Sequence, residues 1–278
     1  MHGMEHPGRT AFRRIIHQPD TAIDLVEGAL SVAQEDLDLH DTLATRDVLR
    51  HLAARTAEQL GPPEPTLQYA EQLVHYLHRV EGFTGNTADY DNPANSYLPL
   101  VCTERKGLPI TLSLLLLAVA AQNGIALEPA ALPAHFMARW SLPAGPVFLD
   151  LFFGQVLDGS ACRVFLQAQS GATLPDPDLF PPVTHRAVLV RLLNNLKQSY
   201  VRRARFGLAL AATERLLLLQ PNLPEELRDR GMLRLRMDDF HRGLYDLERY
   251  VEAVPAAVDQ PLIHRQARSI GDVLDARS

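Results

Sequence analysis

Apolar residues recur every three or four positions along much of this chain, a period that predicts amphipathic helices. Within residues 21–60, Ile23, Val26, Leu30, Ala33 and Leu37 form one such stripe, and Leu49, Leu52 and Ala53 form another. Two helices are expected there, with Asp20 as N-cap of the first. Gly61-Pro62-Pro63 stops the pattern. A third helix is expected over 66–80, where Leu67, Ala70, Leu73, Val74 and Leu77 share a face. Residues 82–107 are dense in Gly, Asn, Asp and Pro, which argues against a regular element. Loops of that length are usually functional or packed by their own side chains. Residues 108–122 are then strongly apolar and predict a buried helix, with Pro109 in its first turn and Asn123-Gly124 as its C-cap. Short strand-like runs at 136–140 and 147–152 flank Pro143-Ala144-Gly145-Pro146, which reads as a hairpin turn. Residues 158–182 carry Pro175, Pro177, Pro181 and Pro182 and read as irregular, with a short helix expected at 162–169.

The last third of the chain repeats itself. Pro221 and Pro255 lie 34 residues apart, as do Phe206 and Phe240, Ala209 and Gly243, and Leu217 and Val251. Thirty-four is the tetratricopeptide period, and the residue types suit it. The small residue lets the second helix approach the first, the aromatic fills the turn between helices, and the proline ends the unit. Helices are expected at 189–203, 205–219, 225–237 and 240–254, with a final helix at 262–274. Two repeats rarely stand alone, so packing against other parts of the chain is expected. Such arrays offer concave surfaces, which implies a protein or peptide partner.

Composition narrows the function classes. Apolar residues make up 46% and charged residues 22%, the balance of a globular protein. The net charge is −6 and no Lys/Arg block stands out, so nucleic-acid binding is unsupported. The cysteines, Cys102 and Cys162, form no C-x-x-C pair and no disulfide framework. The first twenty residues contain no apolar core of a signal peptide, and the 108–121 stretch is shorter than a membrane span of roughly 20 residues. No membrane role is expected, and a cytoplasmic protein is. No cofactor motif is read. His75 and His78 lie three apart near Glu71, but two helical ligands without a third read as solvated-face residues, so no metal site is expected.

The central segments resemble a known family. They are Tyr90-Asp91-Asn92-Pro93-Ala94-Asn95-Ser96-Tyr97-Leu98-Pro99, Arg105 to Ser113, Leu132-Pro133-Ala134-His135-Phe136 and Phe148-Leu149-Asp150-Leu151-Phe152. Together they resemble the SirB-type family, which joins a transglutaminase-like core to tetratricopeptide repeats. The resemblance implies an α+β chain: a helical lead-in, a papain-like core with a small antiparallel sheet, then an all-α repeat region. Boundaries are expected at 20–160 for the first domain, 161–183 for a linker and 184–278 for the repeats.

Transglutaminase-like enzymes use a Cys–His–Asp triad, with the Cys at the N-terminus of a buried helix, where the dipole favours a thiolate. The resemblance places that Cys two residues after Gly107 and fifteen before Gly124, and Pro109 occupies the position. It assigns the base to His135 and the orienting carboxylate to Asp150. Cys102, seven residues upstream in the expected loop, is the alternative nucleophile, and Cys162 stands in the linker. Asn95, Ser96 and Pro109 are expected to line the site, with Asn92, Asn95 and Ser96 satisfying buried backbone groups. Two readings stay open. One is a non-catalytic regulator or scaffold that binds a peptide or protein partner. The other is an acyl-transfer or peptide-hydrolysing enzyme using His135, Asp150 and either Cys102 or a water. A scaffold in transcription or signalling is suggested by the family name alone.

Overall fold

The computed structural model describes residues 5–133, 135–171, 182–221, 223–256, 261, 263 and 265. The chain divides into two compact units, residues 1–192 and 193–278.

The first unit opens with four helices: α1 (Pro7–Ile16), α2 (Leu25–Asp36), α3 (Leu43–Leu60) and α4 (Leu67–His75). Of these, α1 was not expected. Its Phe12 and Ile16 are buried beside α2, and Gly8 lets the two backbones approach, since a Cβ there would meet the Ser31 carbonyl at 2.7 Å. Capping also differs from expectation. Asp20 sits in a short 3₁₀ turn, Asp20–Ala22, and it is Asp24 that caps α2, accepting from Glu27 N–H at 3.0 Å. The Asp20 carboxylate instead accepts from the backbone N–H groups of His185 and Arg186, both at 2.9 Å, at the start of α8 (His185–Arg202). An N-cap 165 residues away in sequence is a tertiary device that local pattern does not display.

Thr66 caps α4 through Tyr69 N–H, and the helix continues into a π-helical turn, Tyr76–Val80. The expected loop is more ordered than its composition implies. It holds strands β1 (Thr84–Gly85) and β2 (Lys106–Gly107), paired in parallel, a 3₁₀ turn at Pro93–Ser96, and a helix α5 (Leu98–Glu104). Glu81 clamps this region. Its carboxylate takes Arg55 Nε at 2.8 Å, Tyr76 Oη at 2.8 Å and Arg105 Nη1 at 3.0 Å. The Arg55 hydrogen bond, with help from Arg105 and Tyr76, holds its carboxyl down to about 2.

The expected buried helix is α6 (Pro109–Gln122), with Gly124 at φ 73° closing it through Ile125 N–H to the Ala120 carbonyl. Leu112, Leu114, Leu115 and Leu116 are fully buried, each stabilising the fold by about 1.5–3 kcal/mol relative to exposure. The helix packs against α3 and against the strand His135–Leu142.

The expected hairpin is present within a four-stranded antiparallel meander: β3 (Glu128–Leu132), β4 (His135–Leu142), β5 (Gly145–Asp150) and β6 (Gln155–Asp158). The outer strands β3 and β6 escaped the sequence pattern because they are short and only half-alternating. The stretch expected as a linker begins with α7 (Gly159–Ser170), capped by Asp158. Cys162 lies on that helix, wholly buried with Met137, Phe148 and Leu166, and so belongs to the core under the sheet.

The second unit holds the C-terminal part of α8, then α9 (Phe206–Leu219), α10 (Pro224–Arg236) and α11 (Phe240–Ala253). The repeat extends to the turns. Ala204 and Asp238 both adopt φ near 60°, and their turns carry matching bonds, Arg205 N–H to Tyr200 and Asp239 N–H to Arg234, both i to i−5. Gly243 earns its small size, since a Cβ there would meet Leu235 at 2.7 Å. Leu217, Leu227, Leu247, Tyr250 and Ile263 form the core. The helix expected at 262–274 lies outside the described residues, apart from 263 and 265.

Candidate functional site

Strand β4 begins at His135 and strand β5 ends at Asp150, and the antiparallel register between them puts the two side chains together. His135 Nε2 lies 3.0 Å from Asp150 Oδ2. Both are buried, at 6% and 1% exposure, so the bond is shielded from water. In the tautomer whose Nε2–H donates to the carboxylate, the lone pair lies on Nδ1.

Asp150 has a second duty. Its Oδ1 accepts from Phe152 N–H at 2.9 Å and Phe153 N–H at 3.3 Å, and Gln155 Nε2 donates to Oδ2 at 3.3 Å. The carboxylate thus caps the tight turn from β5 to β6, a turn closed by Gly154 N–H to the Asp150 carbonyl at 2.9 Å. Around the imidazole stand Phe153, stacked at 5.8 Å, with Phe165 and Phe152 edge-on at 5.3 and 6.1 Å. Phe153 is 43% exposed and Tyr90, edge-on to Phe152, is 49% exposed, so the aromatic cluster reaches solvent.

Pro109 is the first residue of α6 and is buried. One helical turn on, along the same face, Ser113 Oγ donates to the Phe136 carbonyl at 3.4 Å, next to His135. Among the described residues, Thr111 Oγ1 and Ser96 Oγ are buried without a hydrogen-bond partner, and no side chain caps the α6 N-terminus. Asn95 is fully engaged in its loop. It donates to the carbonyls of Asp89 at 2.7 Å and Tyr90 at 3.1 Å, accepts from Asn86 Nδ2, and its own carbonyl accepts from Leu108 N–H. Asn92 caps the 3₁₀ turn through Ala94 N–H. These asparagines therefore fix the approach to α6.

Cys102 lies on α5 rather than on a bendable loop, is 4% exposed, and its thiol is pushed up to about 12 by burial. A nucleophilic thiol needs the opposite displacement.

His78 also lies at this site. His78 was read as solvated, yet the π turn carries it inward to 8% exposure. Its ring packs against Gly154, where a Cβ would come within 2.5 Å, and Gly154 holds φ 71°. Burial lowers its pKa, with Arg79 adding to the effect and the Asp150 charge opposing it, and among the described residues its Nδ1 has no hydrogen-bond partner. Its position four residues after Val74, on the apolar face of α4, was the available signal. His75 is exposed, and among the described residues no group of three or more His, Cys, Asp or Glu is arranged to hold a metal ion. No helix among them is long and apolar enough to cross a membrane.

Comparison with known proteins fits this geometry. Residues 44–194, which carry Pro109, His135 and Asp150, match the Transglutaminase-like superfamily, and residues 196–268 match the Tetratricopeptide repeat. A UPF0162 protein of Xylella fastidiosa is 34% identical over 248 residues, covering 85% of this chain and 86% of its own. The UPF0162 protein YchA of Escherichia coli is 29% identical over 229 residues, covering 81% of this chain and 84% of its own. F-box only protein 21 of Homo sapiens is 28% identical over 215 residues, which is 66% of this chain and 33% of that one. No solved structure matches the chain. With over half its length in one superfamily and most of it shared with relatives of one name, the chain belongs to the UPF0162 family of transglutaminase-like proteins with a tetratricopeptide-repeat region.

Proposed function

We propose that this protein is a non-catalytic binding protein of the cytoplasm, a transglutaminase-like pseudoenzyme whose repeats hold a peptide or protein partner. The observation that carries this reading is Pro109 at the first position of α6, where the resemblance calls for the nucleophilic Cys. Proline offers no nucleophile and no N–H to an oxyanion. The buried Cys102 supports the same reading, since its thiol is held protonated far above neutral pH. Cys102 and Cys162 are both buried and neither is in a disulfide, which suits a reducing compartment. The His135–Asp150 pair then serves as structure, joining two strands and a turn.

A second reading rests on that same pair. A buried imidazole oriented by a carboxylate, with Nδ1 left as base, is the machinery of acyl transfer or peptide hydrolysis, with water as the nucleophile.

The test is turnover of a glutamine-donor peptide with a fluorescent amine, and of an activated ester, by the wild-type chain, H135A and P109C. Background rates from the wild type and H135A alike, with thiolate reactivity appearing only in P109C, are the expected result. Wild-type turnover that H135A abolishes would establish the enzymatic reading instead.

A further inference from the structure

Beside the His135–Asp150 pair stands a second imidazole that neither reading of the site uses. His78 sits on the π turn Tyr76–Val80 at the end of α4, and π turns inside helices are frequent at functional positions. Its ring rests so closely on Gly154 that a Cβ there would lie 2.5 Å from it. The residue is 8% exposed, and among the described residues its Nδ1 meets no hydrogen-bond partner. Gly154 in turn closes the β5–β6 turn by donating to the Asp150 carbonyl at 2.9 Å. That turn carries Phe152 and Phe153, two of the rings that cover His135, at 6.1 and 5.8 Å from it.

A neutral imidazole is tolerated in such a place, whereas its cation is costly. The protonated ring carries N–H on both nitrogens, so Nδ1 becomes a buried donor with nothing to accept from it. The charges acting on the ring are Arg79 on the same turn, Asp150 on β5, Lys106 on β2 and His75 on α4, and Asp150 alone favours the proton. The Asp150 oxygens are already committed, Oδ2 to His135 and Gln155, and Oδ1 to the N–H groups of Phe152 and Phe153. A cationic His78 can reach that carboxylate only by displacing those donors. It can leave for water only by lifting off Gly154. Either course loosens the turn.

We propose that His78 is a proton-operated latch on the Asp150–Gly154 turn, whose protonation frees Phe152 and Phe153 and uncovers His135. The proposal concerns access to His135 and stands whether that residue is structural or catalytic. Burial, and then Arg79, lowers the His78 pKa from its ordinary 6.5. The native state therefore binds this proton less readily than the unfolded chain does. The contribution of His78 to the closed turn is complete above pH 6.5 and is lost as pH falls below it.

Hydrogen exchange on the full chain tests this, read at the N–H groups of Phe152 and Phe153 and along α6. The range runs from about pH 7.5 to about pH 5.5, with rates corrected for the intrinsic pH dependence of exchange. Protection of the turn is expected to fall at least about tenfold across that window, while protection of α6 holds. H78Q, which takes up no proton there, should abolish the fall, and H75Q, at the exposed His75, should behave as wild type. An NMR titration of the His78 ring in the wild type gives a second readout that does not depend on H78Q folding. Its midpoint should coincide with that of the loss of turn protection. Constant turn protection in the wild type, an equal fall in H78Q, or a His78 midpoint away from that of the turn would each overturn the proposal. So would loss of α6 protection in step with the turn, because acid would then be unfolding the unit and not opening a latch.

Discussion

The two halves of the candidate site have met different fates. The base half, His135 and Asp150, is intact, buried and hydrogen-bonded at 3.0 Å. The nucleophile half offers a proline at the α6 start and a deeply buried thiol on α5. Structural duty separates them. Asp150 caps the β5–β6 turn through two backbone N–H groups and ties that turn to β4. Its loss would disorganise the sheet whether or not chemistry is performed. A side chain at the first position of α6 has no such task, and proline suits that position well, since its φ is preset for a helix and its missing N–H is not needed there. On the proposed binding reading, His135 and Asp150 are kept for the stability of the sheet, while nothing structural fixes which residue opens α6.

The strongest way to break that comparison is D150A. It strands the His135 Nε2–H and two backbone donors in a buried place and is expected to cost about 3–5 kcal/mol of unfolding free energy. D150N keeps an acceptor and should cost less. Urea unfolding checks both. A loss under about 1 kcal/mol for D150A would mean that the pair persists for something other than structure.

Next in size is G154A, which attacks the same turn from the other side. It forces a side chain onto φ 71° and into the His78 ring, for an expected loss of about 2–4 kcal/mol. Adding H78A should restore the part due to the clash and leave the part due to backbone strain. Additive losses in the double variant would remove His78 from the support of the Asp150 turn.

How much of this was legible in the sequence depended on distance along the chain. The α6 helix and the β4–β5 hairpin are local patterns, and the 34-residue repeat shows when the last third of the chain is compared with itself, so none of them needs a tertiary contact to be seen. His135 and Asp150 were named by the family resemblance, and their hydrogen bond is visible only in the structure. Asp20 was misread because its role is decided by α8, far downstream. Helix α5 was missed because the Gly- and Asn-rich residues before it dominate the composition, although Leu98, Val101 and Cys102 form its buried face. His78 was missed because its nearness to His75 and Glu71 was weighed above its place four residues after the buried Val74.

A smaller effect probes the framework of the nucleophile half. The Glu81 carboxyl lies at about 2, held there first by Arg55, so ionised Glu81 stabilises the native state more than the unfolded one. The sign follows directly. That contribution is complete above the unfolded carboxylate pKa of about 4.3 and is lost as pH falls toward 2. E81Q should cost about 1–3 kcal/mol at neutral pH, and its difference from wild type should shrink across that acid window. A difference that stays constant with pH would mean that the clamp acts by shape alone.

The smallest effect concerns Cys102, and it decides whether the nucleophile half is inert or merely unused. Burial raises the thiol to about 12, while an unfolded thiol ionises near 8.5. The native state therefore holds the proton more tightly, and stability is complete below pH 8.5 and declines as pH rises toward 12. C102A should cost about 1 kcal/mol at neutral pH through lost packing, and that cost should narrow above pH 8.5 because the variant lacks the ionising group. Alkylation of native Cys102 should accordingly track unfolding, so that denaturant accelerates it far more than added base does. Rapid alkylation of the folded protein near pH 7 would show a thiolate where burial forbids one and would overturn the inert reading of Cys102.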